Sequence, residues 1–300
     1  MTAARRLGAI AVLLLVASCG RGGWEREACE QAKPQPPGTA TLTLAGGRTA
    51  LLHVPEAYDG TEEYPLVFSW HGYGSNAADH LAYADFRPLA ESERFLVVVP
   101  QGAGTPTRFN LGAGIVGDTD DVAFANEILD RVATDYCLDD TRVYSAGVSN
   151  GGGMSALLAC REPQRFAAIG MNALLLLPEP CASPPPAVLG MMGNADLVVP
   201  FQGGRVNCCD GWPIAPAAET MARWAQHAGC DGDGREKEIA DHVDRTTWDG
   251  CDRGVEVQYY VIDGGGHTWP GGPDTSQLGP TNQEIDASKV MWDFFKRFTT

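Results

Sequence analysis

Six apolar runs of four to eight residues constrain the fold of this chain more than any other feature of its sequence. Most are bounded by Gly or Pro, and continuous apolar runs of this length are typical of strands buried on both faces of a parallel sheet. They are Leu66–Trp70, Phe95–Val99, Val143–Ala146, Phe166–Met171, Ala187–Met191 and Val255–Ile262. Two earlier segments, Thr39–Leu44 and Thr49–Val54, predict an antiparallel hairpin with a Gly-rich turn.

Helical patterns lie between and after these runs. Apolar residues recur at helical spacing in Asp121–Thr134, behind an acidic first turn. Near the C-terminus, Thr281 and Glu284 have the spacing of a capping box ahead of an amphipathic segment that contains Trp292 and Phe295. A hairpin followed by strand–helix alternation predicts an α/β fold. We expect a mostly parallel central sheet, helices on both of its faces and an N-terminal antiparallel hairpin.

The first residues of the chain predict export. Arg5 and Arg6 precede the apolar run Leu7–Ala17, which is shorter than the about 20 residues that span a bilayer. The run leads to Cys19 in a segment that resembles a bacterial lipobox. We therefore expect residues 1–18 to be a lipoprotein-type signal peptide and Cys19 to be lipidated. Ordinary signal-peptidase cleavage nearby is the alternative.

Two more segments follow this leader. Residues 19–38 are polar and rich in Pro and Gly, which predicts a flexible linker. Residues 39–300 are long enough to form one large α/β domain. The protein is therefore expected to be exported and either secreted or lipid-anchored to the cell envelope, at the outer membrane or the cell surface.

The net charge argues against some classes of partner. It is −16 for the whole chain and becomes −18 when the two arginines of the leader are removed. An acidic surface repels phosphate backbones and anionic lipids. We therefore expect no nucleic-acid partner, contact with a membrane only through a lipid anchor, and a monomer.

The chain has nine cysteines, and setting Cys19 aside leaves eight. An even number in an exported protein predicts disulfides. Zinc is the rival interpretation, but no C-x-x-C pair or His/Cys cluster has metal-ligand spacing, so no metal is expected. Cys230 and Cys251 bracket a polar, acidic insertion with little apolar content, and we expect a bond between them. A calcium site in that acidic run is the less favoured alternative.

The candidate nucleophile is Ser149. The segment Gly147–Gly151 fits the pattern G-x-S-x-G, directly after the predicted strand Val143–Ala146 and directly before a helical segment. This strand–turn–helix context is typical of a nucleophile elbow, in which a strained turn holds the serine Oγ clear of the sheet. The alternative is a Gly-rich helix N-terminus that only packs closely.

The candidate base and acid follow in chain order. His267 lies after the last predicted strand, in a Gly-rich loop that can carry its imidazole to Ser149, and an imidazole accepts a proton near neutral pH. Asp196 follows the preceding predicted strand and gives the order Ser–Asp–His. We expect its carboxylate to accept the other imidazole N–H and fix the tautomer. Asp263 is the rival acid, but it lies only four residues before His267.

An oxyanion hole completes the predicted site. One donor should be the backbone N–H of Asn150, the residue after the nucleophile. The second should come from the loop His71-Gly72-Tyr73-Gly74, and the N–H of Tyr73 is the favoured donor. His71 is expected to shape this loop and to border the substrate, and not to act as a second base.

These segments, together with the loop Gly265–Gly272, resemble a known family. They are similar to exported esterases related to poly(3-hydroxybutyrate) depolymerases and feruloyl esterases, the esterase-PHB or carbohydrate-esterase-1 type group. The resemblance covers roughly residues 40–298. It implies an α/β-hydrolase fold and an acyl-enzyme mechanism without a cofactor, carried by Ser149, Asp196 and His267. The chain departs from the usual pattern at Cys208-Cys209 and in the Gly-rich segment Leu111–Gly117, which leaves the substrate in question.

We therefore predict an exported serine carboxylic-ester hydrolase that acts on soluble feruloyl-sugar or acyl-saccharide esters. Trp269 and Trp212 are expected to offer flat apolar surfaces in the cleft, with core packing as the alternative for each. Depolymerisation of poly(3-hydroxybutyrate) is the alternative function within the family. A non-catalytic surface lipoprotein is the remote alternative, disfavoured because a binding protein needs no intact set of nucleophile, acid and base.

Overall fold

The computed structural model describes residues 29, 34–112 and 119–300. The predicted signal peptide and the predicted lipidation site at Cys19 lie outside the described residues, as do residues 113–117 of the Gly-rich segment. None of the helices in the described ranges is both long enough and apolar enough to cross a bilayer.

The described residues form twelve strands and six α-helices. The strands are β1 (Gly38–Thr43), β2 (Thr49–Val54), β3 (Tyr64–Trp70), β4 (Leu96–Pro100), β5 (Leu138–Val148), β6 (Ala168–Asn172), β7 (Ala187–Gly193), β8 (Gly204–Arg205), β9 (Pro213–Ile214), β10 (Arg235–Ala240), β11 (Val243–Trp248) and β12 (Val257–Ile262). The helices are α1 (Ala77–Tyr83), α2 (Arg87–Glu93), α3 (Asp121–Asp135), α4 (Asn150–Arg161), α5 (Ala217–His227) and α6 (Ala287–Phe295).

Ten of these strands form one sheet in the order β1-β2-β4-β3-β5-β6-β7-β12-β11-β10. Neighbours from β4 to β12 pair in parallel, whereas β1, β2, β11 and β10 pair antiparallel at the two edges. The predicted α/β fold with its N-terminal antiparallel hairpin is therefore confirmed. The central strands are buried along their whole length, as their continuous apolar runs predicted.

Glycines show that helices cover both faces of the sheet. A Cβ on Gly170 would meet Met291 of α6, and a Cβ on Gly190 would meet Met221 of α5. Gly190 is paired in register with Met171, the neighbour of Gly170. Because successive residues of a strand point to opposite faces, α5 and α6 lie on opposite sides of the sheet.

Two predictions about local structure need correction. The capping box at Thr281 and Glu284 is wrong, because α6 begins later, at Ala287, with Asp286 as its N-cap residue. The Asn282 side-chain oxygen accepts the N–H of Glu284 at 2.9 Å, so this segment forms a side-chain-stabilised turn instead of a first helical turn. The predicted set of strands was also incomplete, because the acidic insertion between Cys230 and Cys251, to which no strand was assigned, forms β10 and β11.

All eight cysteines of the described residues are paired. The disulfides join Cys29 to Cys137, Cys160 to Cys181, Cys208 to Cys209, and Cys230 to Cys251. The predicted bond between Cys230 and Cys251 is thus present. The bond from Cys29, which belongs to the predicted linker, joins that residue to Cys137, directly before β5. Such use of cysteine is typical of an exported protein.

Candidate active site

Ser149 lies in a sharp turn between β5 and α4. Its φ is 55° and its ψ is −122°, a backbone conformation that residues other than glycine rarely adopt. The two flanking glycines are required by close packing: a Cβ on Gly147 would overlap the backbone of Gly151, and one on Gly151 would overlap the backbone of Trp70. The G-x-S-x-G segment therefore has the geometry of a nucleophile elbow.

His267 and Asp196 are joined by a buried hydrogen bond. His267 Nδ1 lies 2.7 Å from Asp196 Oδ2, and the side chains are 7% and 0% exposed. The other carboxylate oxygen of Asp196 accepts the N–H groups of Val198 and Val199, each at 2.8 Å. Because a carboxylate so placed accepts the Nδ1–H, Nε2 is left as the basic nitrogen of the ring.

The loops that carry this pair leave the sheet at adjacent strands. Asp196 follows β7 and His267 follows β12, and these two strands are paired in parallel. Gly193 at the end of β7 has no room for a Cβ because the backbone of Gly265 lies against it. By contrast, Asp263 accepts a hydrogen bond from Asn194 at 2.8 Å and lies at an exposed position. The structure thus places Asp196, and not Asp263, beside the imidazole.

A cleft of about 550 Å³ brings Ser149 and His267 together. Its walls are mainly apolar and aromatic and come from several loops. The other lining residues are Gly72, Tyr73, Ser75, Asp79, His80, Tyr83, Val148, Val198, Cys208, Thr275 and Leu278. A concave site with few polar groups around a nucleophile is typical of an enzyme that binds small organic substrates.

Of the two predicted oxyanion donors, Tyr73 lines this cleft, and Asn150 directly follows Ser149, which lines it. Asn150 is the first residue of α4, where backbone N–H groups have no partner within the helix. Its side chain is used elsewhere, since it exchanges hydrogen bonds with the backbone N–H and carbonyl of Phe109 at 2.7 and 3.0 Å. Tyr73 lines the cleft, and its neighbour Gly72 is so close to Ser149 that a Cβ there would lie 3.5 Å from the serine Cβ.

His71 shapes the loop but does not border the substrate, which corrects part of its predicted role. It is fully buried outside the cleft lining. The backbone N–H of Gly102 donates to His71 Nε2 at 2.9 Å, so Nδ1 carries the proton and donates to the carbonyl of Gly72 at 2.8 Å. Burial lowers the pKa of His71 and keeps its ring neutral. These bonds hold the loop that presents Tyr73.

Neither predicted tryptophan reaches the cleft. Trp269 is 1% exposed and packs edge-on against Phe86, and its Nε1 donates to Ser288 Oγ at 3.1 Å. Its large apolar ring is therefore more stable in the core than in a solvated groove. Trp212 is also buried, and its loop places Cys208 in the cleft wall instead. The substrate-binding role predicted for both tryptophans is wrong.

His80 is a cleft residue that the sequence did not reveal. Its Nε2 lies 2.9 Å from Ser69 Oγ in the interior of the protein. Complete burial lowers the pKa of His80 to about 3, so it stays neutral over the range in which proteins work. Only its position on α1, beside the oxyanion loop, places it near the nucleophile, and no sequence motif marks that position.

In the part of the chain that the structure describes, no three His, Cys, Asp or Glu residues converge as metal ligands.

Comparison with known proteins agrees with this geometry. The profile of the family described as "Esterase PHB depolymerase" matches residues 49–192. A feruloyl esterase D of Neurospora crassa is 28% identical over 97% of this chain and 93% of its own length. These matches support a relationship of the chain to the esterase PHB depolymerase and feruloyl esterase family. Feruloyl esterase B of Piromyces equi is 27% identical over 84% of this chain, but this chain spans only 45% of that longer protein.

A solved structure supports the fold of this esterase. The acetyl xylan esterase from Aspergillus awamori superposes with a TM-score of 0.63, covering 86% of this chain and 98% of that chain at 15% identity. The superposition shows the fold, and the feruloyl esterase relatives indicate that the chain is a carboxylic ester hydrolase.

Proposed function

We propose that the chain is a serine esterase in which Ser149, His267 and Asp196 form the catalytic triad. The observation that carries this proposal is the buried bond between His267 Nδ1 and Asp196 Oδ2, at 2.7 Å, in a cleft that also contains the strained Ser149. A hydroxyl, an imidazole and a carboxylate in this arrangement are the parts needed for acyl transfer.

Ser149 Oγ attacks the ester carbonyl carbon while its proton passes to His267 Nε2. The carbonyl oxygen becomes an oxyanion, which the backbone N–H groups of Asn150 and Tyr73 stabilise, each contributing about 3 kcal/mol. When the C–O bond to the alcohol breaks, the imidazolium returns that proton to the leaving oxygen. An acyl-Ser149 ester remains. Asp196 stabilises the positive charge on the imidazolium while it gains and then returns the proton, and Asp196 does not take up that proton itself.

Hydrolysis of the acyl-enzyme repeats these steps with water. His267 removes a proton from the water, whose oxygen attacks the acyl carbon. Collapse of the second oxyanion releases the carboxylic acid and returns the proton to Ser149 Oγ. The strained φ of Ser149 supports both steps because it keeps Oγ at the edge of the cleft.

We propose soluble feruloyl-sugar or acyl-saccharide esters as the substrate class. The cleft volume of about 550 Å³ suits an acyl group of aromatic size. With Trp269 and Trp212 in the core, the aromatic surfaces offered to such a group are those of Tyr73 and Tyr83. Several relatives named feruloyl esterase support this class.

A substrate panel on purified protein tests both levels of the proposal. Methyl ferulate, acetylated xylo-oligosaccharides and 3-hydroxybutyrate oligomers are compared by kcat/KM. We expect the first two to exceed the third, and a preference of tenfold or more for the oligomers, about 1.4 kcal/mol, would reverse the ranking in favour of a depolymerase. The folded Ser149→Ala variant should lose several orders of magnitude in rate and all labelling by a fluorophosphonate. Retention of either would contradict the proposed triad.

We also propose that Cys19 carries the lipid anchor of the mature protein. The support is its position after the apolar run of the leader and the lipobox-like sequence that precedes it. The test is metabolic labelling with a fatty-acid analogue followed by fractionation of the envelope. Label and membrane association should both disappear in Cys19→Ser. Equal membrane association of the two proteins would exclude the anchor.

A further inference from the structure

A second groove, of about 410 Å³, lies on the sheet where β10, β11 and β12 run side by side. The residues that line it include four cations, Arg235, Lys237, Arg245 and Arg297, and the anions Glu236 and Glu256. Glu236 lies between Arg235 and Lys237 on β10, so its side chain points to the opposite face of the sheet. This local excess of positive charge is unusual in a chain of net charge −16.

The groove is separate from the cleft. It is bordered by Gln258 at the beginning of β12, whereas His267 follows the end of that strand. Six residues of strand span about 20 Å, so the two sites lie near opposite ends of the parallel strands. Binding in the groove would therefore not require the catalytic residues.

Two of its cations directly face each other. Lys237 of β10 is paired in register with Arg245 of β11. Like charges in this arrangement are destabilising. Arg235 and Arg297 have ion-pair partners in Asp249 and Glu256. Among the described residues, however, no carboxylate forms an ion pair with Lys237 or Arg245. Arg245 donates a hydrogen bond to the hydroxyl of Tyr260, but this neutral group leaves the positive charge of the pair without a counter-ion.

Two buried polar atoms at this position, one on Arg245 and one on the nearby Thr247, also lack hydrogen-bond partners. Thr247 is 8% exposed and lies on the same face as Arg245, two residues further along β11. Within the described part of the chain, its Oγ1 has no hydrogen-bond partner, and neither has Arg245 Nε. Buried polar groups are normally paired, so two unpaired ones lining a single groove indicate a missing ligand.

We propose that this groove binds a carboxylate-bearing sugar residue of an acidic polysaccharide. Lys237, Arg245 and Thr247 would donate hydrogen bonds to the carboxylate. The Gln258 side-chain oxygen would accept hydrogen bonds from the sugar hydroxyls. Glu256 in the lining favours a singly charged, hydroxyl-rich ligand over a phosphate polymer, because it would repel repeated phosphates.

Native affinity electrophoresis of the mature protein tests this site without using its hydrolytic activity. Gels contain polygalacturonate, uncharged dextran or dextran sulfate at 0.15 M salt. We expect polygalacturonate to retard the wild-type protein, dextran to have no effect, and dextran sulfate to retard it less. Equal mobility in polygalacturonate and dextran would overturn the proposal. Equal retardation by polygalacturonate and dextran sulfate would also overturn it, because it would show attraction by charge alone.

Substitutions in the groove test whether polygalacturonate binds there. Replacing both cations, Lys237→Gln with Arg245→Gln, should weaken retardation by polygalacturonate tenfold or more, and Thr247→Val should weaken it less. A matched control removes two charges from other surfaces, Arg131→Gln with Lys289→Gln, and should bind like the wild type. All variants should hydrolyse p-nitrophenyl acetate at the wild-type rate, which shows that they are folded. Wild-type binding by the Lys237/Arg245 variant, or equal loss in the control, would contradict the proposed site.

Discussion

The side-chain amide of Asn172 donates a hydrogen bond to the carbonyl oxygen of Thr268 at 2.8 Å. The carbonyl of the same Asn172, at the end of β6, accepts the N–H of Ser149, also at 2.8 Å. One buried residue therefore connects the turn of the nucleophile to the residue that follows His267. The separation between nucleophile and base depends on this connection as well as on the bond to Asp196.

Asn172→Ala should lower kcat by about tenfold to hundredfold with little change in KM, because misplacing reacting groups by about 1 Å has costs of this size. Labelling by a fluorophosphonate should slow in parallel. Asn194→Ala, which removes an exposed amide bonded to Asp263, is the control and should leave both rates unchanged. An Asn172→Ala enzyme with wild-type kcat would show that the connection has no catalytic role.

Asp196→Asn should reduce kcat by about a thousandfold or more, because an amide in that place no longer fixes the tautomer of His267 or stabilises its positive charge. Asp263→Asn should stay within about twofold of the wild type. Steady-state kinetics on one soluble ester measure both variants. If the Asp263 variant is the more damaged, the acid of the triad is misassigned.

His80 should make the folded protein less stable in acid. Its pKa is about 3 in the folded state and about 6.5 when unfolded, so between these values only the unfolded chain binds the proton. Stability therefore falls as pH drops below about 6.5, by about 2 kcal/mol from this residue at pH 5.

Urea unfolding at pH 7.5 and pH 5 measures this effect. The loss of stability between the two pH values should shrink by about 2 kcal/mol in His80→Gln. Ser69→Ala is the matched control, since it removes the hydrogen-bond partner but leaves the imidazole buried, and it should keep the wild-type dependence. A His80→Gln protein with an unchanged loss would refute the prediction.

The disulfide between Cys208 and Cys209 should influence the choice of substrate. Cys208 lines the cleft, and the neighbouring Asn207 N–H donates to the carbonyl of Val198, another lining residue, at 2.8 Å. Replacing both cysteines by serine should change the ratio of kcat/KM for methyl ferulate and p-nitrophenyl acetate by about threefold to tenfold. The Cys230→Ser/Cys251→Ser variant, altered away from the cleft, should keep the wild-type ratio. Equal ratios in all three proteins would argue against any role for this bond in selectivity.

The features that could be predicted most reliably from the sequence are those determined by short segments of the chain. The parallel strands are recognisable because burial on both faces demands continuous apolar runs, and the elbow at Ser149 is recognisable because its backbone leaves no room beside it. The edge strands β10 and β11 were not predicted, because neither contains a continuous apolar run. An exposed strand such as β10 needs no apolar residues, so its sequence resembles that of a solvated loop.

Which side chains line the cleft was much harder to predict. Trp269 adjoins the segment of the base in sequence, but its ring points into the core, since side-chain direction depends on the packing of α1 and α6 around it. His80 and Leu278 reach the cleft from distant segments without any motif. Whether such residues line the cleft depends on the tertiary arrangement of the loops, which cannot be read from residue spacing in a single sequence.

The base is carried by the loop after β12, which is the last strand to enter the sheet in chain order and comes late in the sequence. A chain whose synthesis has not passed β12 therefore contains the proposed nucleophile but lacks the proposed base. In the proposed mechanism, the site is complete only when this final strand pairs with β7 and brings His267 to Asp196 and Ser149.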